Sequence, residues 1–264
     1  MQAQRDEGPD GQPAIEVRNL TKVYPTRDKP VQALADVSFR VADGEFLTIV
    51  GHSGCGKTTI LKIIAGLVQA SSGSVSVRGK EVVGPLSDVG MVFQNPVLLK
   101  WRTVMDNVML PIEMLRLGVE DNRGRALDLL ALAGLTDFKD CYPYELSGGM
   151  QQRVAICRAL VHDPSLLLMD EPFGALDVMT REDMNLELLR IWSRRQKTSL
   201  LVTHSISEAV FLADRVIVMT PRPGVVADIV EVTLPRPRAP ETKLDPRFTQ
   251  LVQLIGRKIG LLYV

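Results

Sequence analysis

Cysteine is scarce in this chain of 264 residues: Cys55, Cys141 and Cys157 are the only three. An odd number with no metal-ligand spacing excludes a disulfide framework and a cysteine-rich metal site, and it suits a reducing, cytosolic compartment. Net charge is absent as well, with 31 Lys plus Arg balancing 31 Asp plus Glu. No global field advertises a nucleic acid or an anionic membrane surface, so no nucleic-acid partner is expected. No apolar run approaches the roughly 20 residues of a membrane-spanning helix. Met1 to Pro13 is polar, rich in Gly and Pro, and lacks the apolar core of a signal peptide. It is expected to be a disordered lead-in, and any membrane association is expected to come through a partner. Internal repeats and low-complexity tracts are missing too. The length suffices for one large domain or two small ones, with a core that needs no covalent staples.

What is present is concentrated in Gly51-His52-Ser53-Gly54-Cys55-Gly56-Lys57-Thr58-Thr59. The apolar run Phe46 to Val50 before it reads as a buried strand, and Ile60 to Ala65 after it reads as a helix. Strand, glycine-rich loop, Lys-Thr and helix form the phosphate-binding P-loop arrangement. Glycines let successive N–H groups point at one anion, and the helix start adds unpaired N–H groups and a positive dipole end. Lys57 can reach the β- and γ-phosphates, and the Thr58 hydroxyl can ligate Mg²⁺. Cys55 reads as a spacer, although its place beside Lys57 and a helix N-terminus favours a reactive thiolate.

Around this stretch, Ile15 to Leu20 alternates apolar and polar residues, Thr21 to Tyr24 continues it, and Val31 to Val41 alternates again. Asp43-Gly44 is a hairpin-turn signal before the P-loop strand. Ser74 to Gly79 reads as a short edge hairpin and Val89 to Phe93 as a buried strand followed by Gln94. From Asn95 to Leu160 the pattern is helical, over Thr103 to Leu117, Asn122 to Ala133 and Gly149 to Val161, with Gly134 as a C-cap. Strand and helix then alternate: Leu166 to Met169, Thr180 to Arg194, Ser199 to Thr203, Ile206 to Ala213 and Arg215 to Met219. This predicts an α/β fold with a mostly parallel sheet core at 14–94 and 161–234, an N-terminal antiparallel β layer, and an inserted helical subdomain at 95–160. Pro221 to Pro240 reads as proline-rich and extended. The extension 235–264 ends in a helix that Asp245-Pro246 starts and that runs to about Ile259.

Four further stretches carry chemistry: Leu146-Ser147-Gly148-Gly149-Met150-Gln151-Gln152-Arg153, Leu166 to Asp170-Glu171, Ala175-Leu176-Asp177, and Val202-Thr203-His204. With Gln94 between the P-loop and the first of them, their order resembles the ATP-binding-cassette (ABC) ATPases, a P-loop NTPase family, from about Ala14 to about Leu234. The resemblance implies ATP and Mg²⁺ as ligands. It gives Asp170 and Thr58 to the metal, Gln94 to the metal or the attacking water and to reporting nucleotide state to the helical subdomain, Glu171 to polarising that water, and His204 to the γ-phosphate, so that Lys57, Gln94, Glu171 and His204 are the expected catalytic set. Tyr24 matches the aromatic that stacks on adenine. Ser147, Gly148 and Gly149 match the signature that, in this family, faces the P-loop of a second subunit. Asp177 matches the D-loop residue near that interface. Met150 departs from the commonest glutamine, at a place where only backbone donors are needed.

One cassette without a membrane segment, a long coiled coil or a second cassette resembles the separate ATPase subunit of a transporter. Gly44 to Val50, Phe93 to Pro96 with Leu98 to Val104, and Met219 to Gly224 look like nitrate-, sulfonate- and taurine-type bacterial importers. The resemblance implies a homodimer at the cytoplasmic face of the inner membrane, peripheral, bound to permease subunits and served indirectly by a periplasmic or lipoprotein solute-binding protein. The apolar stretch Leu98 to Trp101 suits a groove for a permease helix, or else internal packing. The short C-terminal stretch implies no effector-binding domain. A cytosolic ABC-type assembly ATPase and a P-loop small-molecule kinase are the alternative classes, the second disfavoured by the signature.

Overall fold

The computed structural model describes residues 12–27, 29–174, 176–195 and 197–260. Most of the expected lead-in, together with Ala175 of the D-loop stretch, lies outside the described residues. Contacts divide the chain into two compact units, Met1–Leu86 with Gln196–Val264, and Ser87–Arg195.

In the first unit, β1 (Ile15–Tyr24) and β2 (Val31–Val41) pair antiparallel, and β1 pairs on its other edge with β4 (Ser72–Val77), itself paired with β5 (Lys80–Glu81). The second sheet of this unit is built on β3 (Phe46–Val50), all five residues of which are buried. A strand covered on both faces suits parallel neighbours. β3 accordingly lies parallel to β8 (Thr198–Thr203) on one edge and β9 (Arg215–Met219) on the other. The Asp43-Gly44 signal therefore needs correction: it is a turn, but it carries the chain from β2 in one sheet to β3 in another and does not pair the two. The proline-rich stretch after β9, which the sequence reads as extended, contains a paired strand, β10 (Val226–Glu231), antiparallel to β9 with a register shift at Val226/Asp228. That irregularity, and prolines at 221, 223, 235 and 237, hide its alternation. Helices α1 (Lys57–Ile64), α6 (Ile206–Leu212) and α7 (Pro246–Ile259) complete the unit. Asp245 caps α7 as expected, accepting from the Arg247 N–H at 2.9 Å, and Gly260 ends it at φ +80°.

The second unit contains the parallel pair β6 (Val89–Val92) and β7 (Leu166–Asp170). Between them in the chain run α2 (Val104–Met114), α3 (Val119–Leu132) and α4 (Gly148–Leu160), and α5 (Val178–Arg195) follows β7. Met184, Leu188, Ile191 and Trp192 of α5 are buried, as their helical spacing requires. Gly134, at φ +64°, follows the end of α3 in the left-handed form that helix C-termini favour.

One buried cation ties the C-terminal extension to the first unit. Arg238 is 7% exposed. Its guanidinium donates to the carbonyls of Phe211 (3.0 Å), Ala213 (2.7 Å) and Val210 (3.3 Å), which end α6 and have no helical acceptor role left. Burial, and secondarily the nearby Arg236 charge, lowers its pKa to about 10. Arg238→Met is expected to destabilise the chain by about 2–4 kcal/mol in urea unfolding, because the α6 carbonyls are left buried without donors. An unchanged midpoint would remove Arg238 from the set of structural anchors.

Candidate nucleotide site

The glycine-rich loop joins β3 to α1. Gly54 (φ +77°) and Gly56 (φ +102°) adopt the left-handed backbone that side chains disfavour, and Gly56 is the residue from which α1 starts. Alternation of this kind gathers backbone N–H groups into an anion-binding nest, and α1 adds its dipole. Lys57 is buried, and its ammonium donates to the carbonyls of Gly51 (2.8 Å) and His52 (3.1 Å). The cation is thereby laid across the mouth of the loop. Thr58 and Thr59 follow in the first turn of α1, both half-buried.

Three further side chains of the first unit bear on this loop or on the end of its sheet. The Tyr24 hydroxyl, at the end of β1, lies 3.4 Å from the Thr59 hydroxyl, and the Lys22 ammonium sits 5.0 Å from the centre of the Tyr24 ring. His52 is exposed and turned away: its Nε2 is 3.0 Å from the Ile259 carbonyl at the end of α7. Since a carbonyl only accepts, this ring nitrogen carries the proton. His204 is exposed just past β8, ahead of Ser205, which caps α6 by accepting from the Glu208 N–H at 3.3 Å. Cys55 is fully buried, and a reactive thiol needs access as well as a low pKa, so the loop cysteine is a packing residue here.

In the second unit, Asp170 is the last residue of β7, and Glu171 turns off it at φ +45°. That conformation costs a non-glycine residue about 1–3 kcal/mol and is kept where the surroundings impose it. Here Pro172 and Phe173 are buried, and the Gly174 N–H donates to the Glu171 carbonyl at 3.0 Å. A Cβ built on Gly174 would lie 3.4 Å from Gln94 Nε2 and 3.7 Å from Glu171 Oε2. The Gln94 amide and the Glu171 carboxylate therefore converge on the same spot.

The segment after β6 is held from two helices. Gln152 of α4 donates to the Phe93 carbonyl at 3.2 Å, and Arg158 donates to the carbonyls of Pro96 (2.6 Å) and Val97 (2.9 Å). Asn107 of α2, fully buried, donates to the carbonyls of Leu99, Arg102 and Thr103 and accepts from the Leu99 N–H. With the backbone fixed in this way, Trp101 is left 74% exposed, which excludes internal packing for that side chain.

Ser147 caps α4, accepting from the Met150 N–H at 3.3 Å. The two glycines after it differ. Gly148 has open space around it, whereas a Cβ on Gly149 would meet Thr180 Cγ2 at 2.8 Å. The Thr180 hydroxyl donates to Asp177 Oδ2 at 2.6 Å and its N–H to Oδ1 at 3.0 Å. These bonds hold the Asp177 carboxyl below the usual carboxylate range. Thr180 and Gln152 are positions that sequence reasoning passed over. Gln152 sits inside a quoted motif, but its burial depends on how α4 packs. Thr180 carries no local signal at all.

The chain matches the family model described as ABC transporter over residues 34–174. It is 50% identical to an uncharacterized ABC transporter ATP-binding protein of Methanocaldococcus jannaschii, over 85% of this chain and 84% of that protein. It is 43% identical to the bicarbonate transport ATP-binding protein CmpD of Synechocystis, over 90% and 86%. With the nitrate import ATP-binding protein NrtD of Synechococcus elongatus it shares 44% identity, over 87% and 85%. Among solved structures it is similar to the dimeric cassette MJ0796, with a TM-score of 0.73 and 35% identity, over 83% of this chain and 98% of that one. The same cassette is known in a post-hydrolysis state bound to ADP and Pi.

Proposed function

The chain belongs to the ABC transporter family and is an ATP-binding, ATP-hydrolysing cassette, and on that premise we propose that it energises import of a small solute. A small anion is favoured, because relatives at 43% and 44% identity carry the names of bicarbonate and nitrate systems. The observation that carries the nucleotide-site part of this reading is Lys57, a buried ammonium bonded to two carbonyls of a left-handed glycine loop at a helix start. Such a cation has one evident use, the β- and γ-phosphates of a nucleotide.

Within this reading, Gly51 to Thr59 cradle the phosphates and Tyr24 presents the ring face opposite Lys22 to the adenine. Glu171 orients and deprotonates the attacking water, while Gln94 and His204 attend the water and the γ-phosphate. Thr58, Asp170 and Gln94 would hold Mg²⁺. All three offer oxygen, the donor that a hard cation takes. Among the described residues, no cluster of three or more His, Cys, Asp or Glu could hold a metal unaided. Of the three proposed donors only Asp170 is a carboxylate, and Mg²⁺ is commonly held by one or two carboxylates plus substrate phosphates. When bound, it would offset phosphate charge during transfer. Ser147, Gly148 and Gly149 of one copy are proposed to receive the γ-phosphate held by another, which makes the working unit a homodimer. Asp177 lies at that interface.

No helix among the described residues is long and apolar enough to cross a membrane, so the link to transport is proposed to be a permease, docked at the cytoplasmic face on Trp101 and its apolar neighbours. Trp101→Ala tests this. Co-purification with permease subunits is expected to fall about tenfold or more, since an exposed tryptophan anchor is a usual hot spot, with basal ATP hydrolysis by the isolated chain unchanged. Full retention of the permease by the variant would contradict the docking assignment.

A further inference from the structure

The run Thr220-Pro221-Arg222-Pro223-Gly224 joins β9, which ends at Met219, to β10. It is a closed hairpin tip. The Thr220 N–H donates to the Val225 carbonyl (3.1 Å), while the Thr220 hydroxyl accepts from the Val225 N–H (3.1 Å) and donates to the Pro223 carbonyl (3.4 Å). Two prolines with restricted φ stiffen it further. Gly224 then bonds both ways to β2, its N–H to the Ala33 carbonyl and its carbonyl to the Ala35 N–H, each at 3.0 Å.

The glycine loop is seated between these two partners. A Cβ on Gly224 would lie 2.0 Å from the Cys55 carbonyl oxygen. At the start of the loop, a Cβ on Gly51 would lie 3.0 Å from the Met219 carbonyl oxygen. From the other side, a Cβ on Gly56 would meet Leu34 Cδ2 at 2.5 Å and the Ala33 carbonyl oxygen at 3.0 Å. The contact at Gly224 is with backbone, so it cannot be relieved by a side-chain rotation. The carbonyl of Cys55 and the N–H of Gly56 belong to one rigid peptide plane. Whatever pushes the oxygen also turns that N–H, which lies where α1 begins.

We propose that Gly224 is a positioning residue for the nucleotide loop: the bare Cα of the hairpin tip, strapped to β2, sets the peptide plane between Cys55 and Gly56 and thereby aims the Gly56 N–H at the phosphate. This rests on the reading of Gly51 to Thr59 as the phosphate site. The requirement at 224 is for space, because the left-handed backbone belongs to Gly56 and not to Gly224.

The test measures ADP affinity by calorimetry, and KM and kcat for ATP, on full-length variants whose fold is checked by circular dichroism. Gly224→Ala is expected to weaken ADP binding and raise KM about tenfold, the size of one misdirected bond to a charged group, with kcat at saturating ATP within about twofold. Thr220→Val, which loosens the tip without adding an atom against the loop, is expected to weaken ADP binding and raise KM about threefold each, by part of the same bond. Thr220→Ser keeps the hydroxyl and should match the parent. A folded Gly224→Ala chain with parental ADP affinity overturns the proposal. If Gly224→Ala does not fold, parental affinity in Thr220→Val overturns it instead. Lys57→Ala separates the two layers. Unchanged ADP affinity there rejects the phosphate-site reading itself, whereas lost affinity there with none lost in Gly224→Ala rejects only the role of the hairpin.

Discussion

Replacing Glu171 by Gln is expected to lower ATP turnover by about 10²–10⁴-fold, the contribution of a positioned general base. ATP binding should change little. The amide keeps the size of the side chain and can still accept a hydrogen bond from water, but it cannot take a proton at neutral pH. The local structure argues that this position is held for chemistry. The backbone at Glu171 is left-handed, a conformation glycine would adopt without cost, yet a carboxylate stands there beside the Gln94 amide. Asp170, one residue earlier, completes the strand, and Glu171 leaves it with a left-handed backbone. Steady-state phosphate release and nucleotide affinity, measured on the same preparation, separate the two effects. Parental turnover in Glu171→Gln would remove this residue from the mechanism.

Lys57→Ala should act on the other quantity. Its ammonium is buried against two carbonyls and is the one formal charge in the loop from Gly51 to Thr59, apart from any carried by His52. Losing a charge-assisted bond to phosphate costs about 1.5–3 kcal/mol, or roughly 10- to 150-fold in affinity. Lys57→Arg is not a conservative rescue, because a branched planar guanidinium does not fit a site shaped for a compact ammonium. The expected pattern is thus crossed: Glu171→Gln binds and does not turn over, and Lys57→Ala scarcely binds.

The glycine loop between β3 and α1, and the strand that ends at Asp170, were legible from sequence as local structure because both are built from contiguous residues. A nest needs its glycines in one run, and a strand that delivers a carboxylate must end in it. The capping of α7 by Asp245-Pro246 was legible for the same reason, since caps are local. Partnerships over long sequence separations were not. Asp43-Gly44 specifies a turn, but nothing local says whether the flanking strands then pair, and β3 found its parallel neighbours far along the chain, Phe46 opposite Ser199 and Leu47 opposite Arg215. Gly224 reads as an ordinary turn glycine until its Cα is seen against the Cys55 carbonyl. Arg238 reads as a surface cation in a proline-rich tail until its four backbone acceptors are in place. Cys55 shows the converse: local electrostatics favoured a reactive thiol, and burial decided otherwise.

The most direct test of a nucleotide shared between two copies is the mass of the Glu171→Gln chain by light scattering, with and without saturating ATP and magnesium. Without nucleotide the mass should be that of one 29.1 kDa chain. With ATP it should double, and Ser147→Arg added to the same chain should return it to the single-chain value while ATP remains bound. A Glu171→Gln chain that binds ATP yet stays at 29.1 kDa at every concentration tested would contradict the head-to-tail dimer, and with it the role assigned to Ser147, Gly148 and Gly149.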